Sequence, residues 1–283
     1  MPCYHPQKAY RTPTGIVWSQ LARHDIIGDI TIPCKQCIGC RLDRAQEWSV
    51  RCLHEAKMHE QNSYITLTYN DENLPADRSL DYRHYQLFMK KLRKKAGEIK
   101  FFMCGEYGEL TQRPHYHALL FGYQFPDLEY MGKNATGDKL YGSNMLAKLW
   151  GLGNVIVGEV SKQSAGYVAR YALKKVTGDR AEAHYNGRTP EFAQMSRRPG
   201  IGATFFEKWA KDILPNDYVI VDGIKIPVPT YYDRIYKGDM DEIKWKREIF
   251  ARKHNANNTD ERLYAREEVQ IRKAAMLLRN KIE

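Results

Sequence analysis

Two apolar and aromatic runs constrain this chain most: KFFMCGEYG at residues 100 to 108 and HYHALLFGY at 115 to 123, joined by a short polar link that ends in Arg113-Pro114. A link this short predicts an antiparallel hairpin. SYITLTY at 63 to 69 alternates like a strand and stops at Asn70-Asp71, and NVIVGEV at 154 to 160 reads as a further strand. Apolar residues at helical spacing predict helices from Arg41 to about Gln61, from Tyr82 to Ala96, around Ser143 to Trp150, and from about Lys162 to Val176. Residues 124 to 143, rich in Gly, Asp, Asn and Pro, read as an excursion. Hairpins mixed with crossing helices favour an antiparallel α+β sheet with helices on one face.

The flanks are less regular. Residues 1 to 33 read as an irregular arm or a short strand pair. Beyond Gly178 a polar stretch runs to about residue 202, followed by the helix-like TFFEKWAKDIL, a hairpin in VIVDGIKI turning at Asp222-Gly223, and a charged, helical stretch from Met240 to Glu283. Three segments result: a Cys-rich N-terminal arm and helix (1–62), a central core (63–178), and a C-terminal extension, mixed and then helical (179–283).

Composition narrows the partners. Among 283 residues, 44 Lys and Arg face 34 Asp and Glu, a formal charge of +10, which points to a polyanion. With 43% hydrophobic residues the chain has material for a core, which excludes a wholly disordered tail protein. No window approaches an apolar membrane span, and the start MPCYHPQKAY lacks the apolar stretch of a signal peptide. A cytosolic protein without a membrane partner is expected. The basic run in Lys90, Lys91, Arg93, Lys94 and Lys95 reads as a solvated helix face or as a phosphate contact. Some of the nineteen tyrosines and five tryptophans suit stacking on unpaired bases.

The chemistry sits on two of the predicted elements. His115 and His117, two apart on a strand, project to one face about 7 Å apart along the backbone, so both imidazoles can reach one ion. An isolated H-x-H is more often two histidines on an exposed sheet face. Here the hairpin sets Glu106 beside the pair, which would complete a two-nitrogen, one-oxygen site with open positions; Glu109 and Glu159 are the substitutes. Tyr167 and Tyr171, four apart on a helix, present two phenols to one place, and Lys174 and Lys175 follow directly. Tyrosines at this spacing usually pack against a core. A phenol is also a poor nucleophile at neutral pH unless a metal or cation polarises the electrophile. Together these parts define a reaction in which Tyr167 or Tyr171 attacks the phosphorus of a DNA phosphodiester. The products are a 3′-hydroxyl and a 5′-phosphotyrosine, and the divalent ion neutralises charge in the transition state.

RPHYHALLFG resembles the motif of two histidines flanking one hydrophobic residue that defines HUH endonucleases. GYVARYALKK resembles the two-tyrosine motif of their superfamily-I replication initiators, and SYITLTYND their first motif. With CKQCIGCRLDRAQEWSVRCLHEA, ITLTYNDENLP and CGEYGELTQRPHYHALLFG, the chain is similar over residues 34 to 176 to the Microviridae replication initiators, particularly the gokushovirus branch. The resemblance implies a five-stranded antiparallel sheet flanked by helices, with the histidines on a central strand. It also implies nicking of the replicative form at the origin and rolling-circle synthesis by a host polymerase in the bacterial cytoplasm. Single-stranded and origin duplex DNA are the implied partners, with a host helicase as a further one. Position by position, the ligands map onto His115 and His117, the nucleophiles onto Tyr167 and Tyr171, and the following basic position onto Lys174. Arg170 stands where many relatives have Lys, which keeps the charge but removes a ready proton donor. An open site with a carboxylate suits Mg²⁺ or Mn²⁺, and two imidazoles tilt it toward Mn²⁺.

Cys34-x2-Cys37-x2-Cys40 supplies three thiolates just before a helix, with Cys3 or His5 available as the fourth ligand of a structural Zn²⁺. Free or redox-active thiols and an iron–sulfur cluster are the alternatives. Cys52 and Cys104 fall in apolar patterns and read as packing residues. Two other functions remain open: a zinc-stabilised, non-enzymatic protein that binds single-stranded nucleic acid, and a different HUH enzyme, either a plasmid initiator or a transposase.

Overall fold

A computed structural model describes residues 3–21, 25–108, 111–170 and 175–279. Contacts group the chain into two units, residues 1–44 with 247–280 and residues 45–246. In chain order the elements are β1 (Gln7–Thr12), β2 (Gly15–Val17), β3 (Gly28–Ile32), α1 (Ile38–Ala56), β4 (Asn62–Tyr69), α2 (Tyr82–Ala96), β5 (Lys100–Tyr107), β6 (Pro114–Phe121), β7 (Leu128–Lys133), β8 (Lys139–Ser143), α3 (Asn144–Trp150), β9 (Gly153–Gly158) and α4 (Lys162–Ala169). There follow α5 (Arg180–Tyr185), β10 (Phe192–Met195), α6 (Ala203–Asn216), β11 (Tyr218–Val221), β12 (Ile224–Pro227), α7 (Thr230–Ile235), α8 (Asp241–His254) and α9 (Asp260–Arg279). None of the described helices is long and apolar enough to cross a membrane.

The larger unit is built on an antiparallel sheet of order β10-β5-β6-β4-β9-β8-β7. Its α+β class is the expected one, but it has seven strands, not five. Residues 124–143 contain the β7–β8 hairpin, in which β7 is mostly exposed and β8 half-buried, so neither shows an apolar alternation. The polar stretch after Gly178 contains the short β10, half-buried on the edge of β5.

Helices pack on both faces of this sheet, not on one. Strand alternation sends Ile65, Leu67, Met103, Tyr116, Ala118 and Leu120 to a face covered by Tyr85, Phe88, Met89 and Leu92 of α2 and Trp150 of α3. Neighbouring residues, Tyr64, Phe102, Cys104, Leu119 and Phe121, point the other way, against Cys52 of α1 and Ala165 and Val168 of α4. Each fully buried aromatic or aliphatic side chain here contributes about 1.5–3 kcal/mol. The one-face expectation failed because an apolar stripe shows that a helix packs but not which face of a sheet it covers: α1 is as amphipathic as α2 yet lies on the opposite face. Cys52 and Cys104 are buried in this layer, as packing residues would be.

Local chemistry sets the ends of the key elements. Asp81 caps α2 by accepting from the Arg83 amide, and Gly97 ends it with a positive φ. At the β11–β12 turn, Asp222 and Gly223 both have positive φ, the conformation a two-residue hairpin requires. A three-stranded sheet, β2-β1-β3, forms in the smaller unit, together with α9.

Candidate active site

The β5–β6 hairpin places Glu106 directly opposite His115 and Cys104 opposite His117, while Thr66 of β4 pairs with His117 from the other side. Since successive strand residues alternate, Glu106, His115, His117, Thr66 and Tyr64 all share the face covered by α1 and α4. Tyr116, between the histidines, points to the opposite face. There its hydroxyl donates to the Asp81 carbonyl at 2.8 Å and bonds Tyr69 at 2.9 Å. That buried anchor holds the strand, and with it the direction of both imidazoles.

Glu106 Oε1 lies 3.2 Å from His115 Nε2 and 3.3 Å from His117 Nε2, and the three ligand atoms fall within 4.8 Å of one another. Glu106 is 1% exposed and His117 4%. Burial alone would raise the Glu106 pKa, but hydrogen bonds and charge from His115 and His117 outweigh it and hold the carboxyl well below its ordinary value. The group is therefore an ionised carboxylate.

The outer nitrogens set the tautomers. His115 Nδ1 donates to the Arg113 carbonyl at 3.1 Å, so in the neutral ring Nε2 carries a lone pair aimed at the carboxylate. Two lone pairs facing each other at 3.2 Å need a cation between them or a protonated imidazole. Ligand atoms around a divalent ion with bonds of about 2.1 Å sit roughly 3.0–3.5 Å apart, which the observed spacings match. His117 Nδ1 lies 2.8 Å from the Tyr64 hydroxyl and 2.9 Å from Thr66 Oγ1, so either hydroxyl can accept its proton and leave Nε2 bare for an ion. These residues therefore fit a divalent cation.

Immediately after β9, α4 starts with a reciprocal cap in which the Ser164 amide donates to Ser161 Oγ and the Ser161 amide to Ser164 Oγ. Ala165, Val168 and Ala169 are buried, and Tyr167 reaches the site, where its hydroxyl donates to Glu106 Oε1 at 2.8 Å. Its ring stands edge-on to His117, with centroids 4.9 Å apart. Burial first, and then the Glu106 charge, push the Tyr167 phenol above its ordinary pKa, so it is held protonated.

The sequence candidates thus divide. Glu106, His115, His117 and Tyr167 come together, whereas Glu159 is exposed beyond β9 and outside the group. Tyr171, Lys174 and Glu109 lie outside the described residues. The described helix ends at Ala169 with Arg170 as its cap, short of the expected Val176, and residues 175–177 are not helical. Sequence reasoning did not single out Tyr64 and Thr66; their signal is their even parity on the strand that begins the SYITLTYND run. A second group, Cys3, Cys34, Cys37 and Cys40, gathers its sulfurs within 4.8 Å in the smaller unit.

The family model for replication-associated protein ORF2/G2P matches residues 62–176, which include β4, the hairpin and α4. Replication-associated protein VP4 of Bdellovibrio phage phiMH2K is 35% identical over 259 residues, covering 87% of this chain and 80% of that protein. Replication-associated protein ORF2 of Spiroplasma virus 4 is 34% identical over 258 residues, 82% of this chain and 79% of that protein. Replication-associated protein ORF4 of Chlamydia phage 1 is 32% identical over 211 residues, 71% of this chain and 52% of that protein. No solved structure matches. The chain therefore belongs to the ORF2/G2P family of replication-associated proteins and is a Microviridae-like replication initiator.

Proposed function

We propose that this initiator is a metal-dependent nickase that cuts one strand of DNA at the phage origin by tyrosine attack and later rejoins it. The observation that carries the reading is the Tyr167 hydroxyl resting 2.8 Å from the carboxylate oxygen on which both histidines converge. Glu106, His115 and His117 would hold Mg²⁺ or Mn²⁺. When bound, the ion supplies Lewis-acid polarisation of the scissile phosphate.

The remaining work belongs to the protein. Glu106 orients the Tyr167 hydroxyl through their hydrogen bond and draws on its proton. The phenolic oxygen then forms a bond to phosphorus as the bond from phosphorus to the 3′ oxygen breaks. The proton lost by the phenol passes to solvent, the 3′ oxygen takes one up from solvent and leaves as a hydroxyl, and the 5′ phosphate stays on the tyrosine. Phosphodiester energy is thereby conserved for rejoining, which is the reverse attack by a 3′-hydroxyl. Tyr171 is assigned as a second nucleophile and Lys174 as a cation beside it, on the sequence motif alone. All these residues fall in 63–178, the segment to which the chemistry is assigned.

The free 3′-hydroxyl is a primer for a host polymerase, and displacement of the strand calls for a host helicase, which together set the site of action in the host bacterial cytoplasm. The net charge of +10 favours DNA as partner. The test is incubation of the full-length protein with labelled single-stranded oligonucleotides from its own genome, with Mn²⁺ or with EDTA, followed by denaturing gels. A protein-linked product that needs metal and disappears in Tyr167→Phe plus Tyr171→Phe is expected. Cleavage that survives the double substitution rejects the nucleophile assignment, and binding without any cleavage leaves a non-enzymatic DNA-binding protein.

A further inference from the structure

The smaller unit has little to hold it together. Besides cysteines, its buried apolar cluster contains only Tyr4 and Leu263, with Ile38 packed against it. In the same unit Ile16 on β2, and Trp18 and Ile27 beside the three-stranded sheet, are exposed. A module with so small a core needs a cross-link or a metal.

The four sulfurs of Cys3, Cys34, Cys37 and Cys40 sit at the centre of this cluster. Cys3 Sγ and Cys37 Sγ are 3.9 Å apart. A tetrahedral zinc ion with bonds of about 2.3 Å sets its sulfurs about 3.8 Å apart, whereas a disulfide requires about 2.05 Å. None of Cys3, Cys34, Cys37 and Cys40 is in a disulfide. A multi-iron cluster would spread its ligands wider than the 4.8 Å that encloses all four sulfurs.

The backbone is shaped to serve these sulfurs. Lys35 has a positive φ of 63°, which turns the amides of Gln36 and Cys37 toward Cys34 Sγ at 3.5 and 3.3 Å. The Cys34 amide donates to Cys3 Sγ at 3.1 Å, and the Tyr4 amide to Cys37 Sγ at 3.3 Å. On binding zinc each thiol gives its proton to solvent and forms a sulfur–metal bond, leaving a doubly negative centre that these four amides face. The neighbouring His5 is not among the gathered ligand atoms, and its Nε2 is 2.6 Å from Glu267 Oε2 on α9.

We propose that Cys3, Cys34, Cys37 and Cys40 bind one structural zinc ion that welds the N-terminal arm, the turn before α1 and the C-terminal helix α9 into a single module. Zinc replaces the missing core, and α9 docks on it through Leu263 and the His5–Glu267 contact. The site is independent of the nuclease reading.

The test uses full-length protein purified under reducing conditions. One zinc per chain is expected by elemental analysis. It should be lost in Cys37→Ser and retained in His115→Ala plus His117→Ala, which separates it from an ion at the nuclease site. Replacement by Co²⁺ should give the visible absorption of a tetrahedral four-thiolate centre. Chelation should open new protease cuts between residues 247 and 279. Cys40→His, which keeps four ligands, guards against misfolding of the serine variant: it should still bind one metal, with a shifted Co²⁺ spectrum. Zinc-free wild-type protein, zinc that follows the histidines instead of the cysteines, or chelation that leaves α9 equally protease-resistant overturns the proposal.

Discussion

Tyr167 and Glu106 share a hydrogen bond from helix α4 to strand β5, so the proposed nucleophile and a proposed metal ligand meet at one oxygen atom. In the resting protein this contact aims the phenol, while burial first and the Glu106 charge second raise its pKa and keep it protonated.

Tyr167→Phe keeps the ring against His117 and removes only the hydroxyl. The loss of one hydrogen bond costs about 1 kcal/mol of stability. If Tyr167 makes the first cut, formation of the covalent adduct falls at least about 10³-fold while oligonucleotide binding is unchanged. Adduct yield on denaturing gels, set beside fluorescence anisotropy, decides this, and an unchanged adduct rate assigns the first cut elsewhere.

Tyr64 and Thr66 back each other up on His117 Nδ1. Tyr64→Phe or Thr66→Val alone should weaken Mn²⁺ binding little, whereas the double substitution should weaken it about 10–100-fold. Calorimetric titration of Mn²⁺ reads the difference; equal affinity in the double variant and the wild type would show that the imidazole needs neither hydroxyl.

Gly153 begins β9 with φ +149°, and a Cβ there would lie 2.3 Å from both the Asn70 amide nitrogen and the Thr68 carbonyl oxygen. Both are backbone atoms of β4 and its end, with no flexible side chain to yield. Gly153→Ala should cost roughly 2–4 kcal/mol in urea unfolding, and a midpoint within experimental error of wild type contradicts the strand pairing described.

His54 is buried, stacked on Phe205 at 3.9 Å, and hydrogen-bonded to the Tyr232 hydroxyl at 2.8 Å. Burial, with a smaller push from Lys57, lowers its pKa to about 3. The unfolded chain, with a histidine near 6.5, takes up the proton first as pH falls. Stability from this residue is thus complete above about pH 6.5 and declines from there toward pH 3, by about 1.4 kcal/mol per unit. Between pH 7.5 and 5.0 the wild type should lose about 2 kcal/mol more than His54→Gln in urea unfolding. Parallel losses in the two proteins exclude His54 as the source.

Legibility in the sequence followed local geometry. The β5–β6 hairpin was readable because two apolar runs joined by a short polar link pair as antiparallel neighbours, while the choice of Glu106 over its substitutes came from the register that sets it opposite His115. α2 was readable to the residue because its apolar stripe is wide and its ends carry Asp81 and Gly97. Tyr64 and Thr66 were not, since the register between β4 and β6 is set by packing over some fifty residues of intervening chain, which no local pattern encodes. β7 and β8 escaped notice because a mostly exposed strand and a half-buried one have no hydrophobic period to detect. The cysteine spacing announced a metal group, but only the folded arrangement selects Cys3 over His5 and brings Leu263 beside it.

The smaller unit draws on residues 1–44 and 247–280. During synthesis the arm leaves the ribosome while α9 is still untranslated. At about 5–20 residues per second the interval is on the order of 10–40 s. Through that delay Tyr4 and Ile38 wait without Leu263, while residues 45–246 have already emerged. The sheet that carries the histidines is thus free to fold before the smaller unit has all its parts.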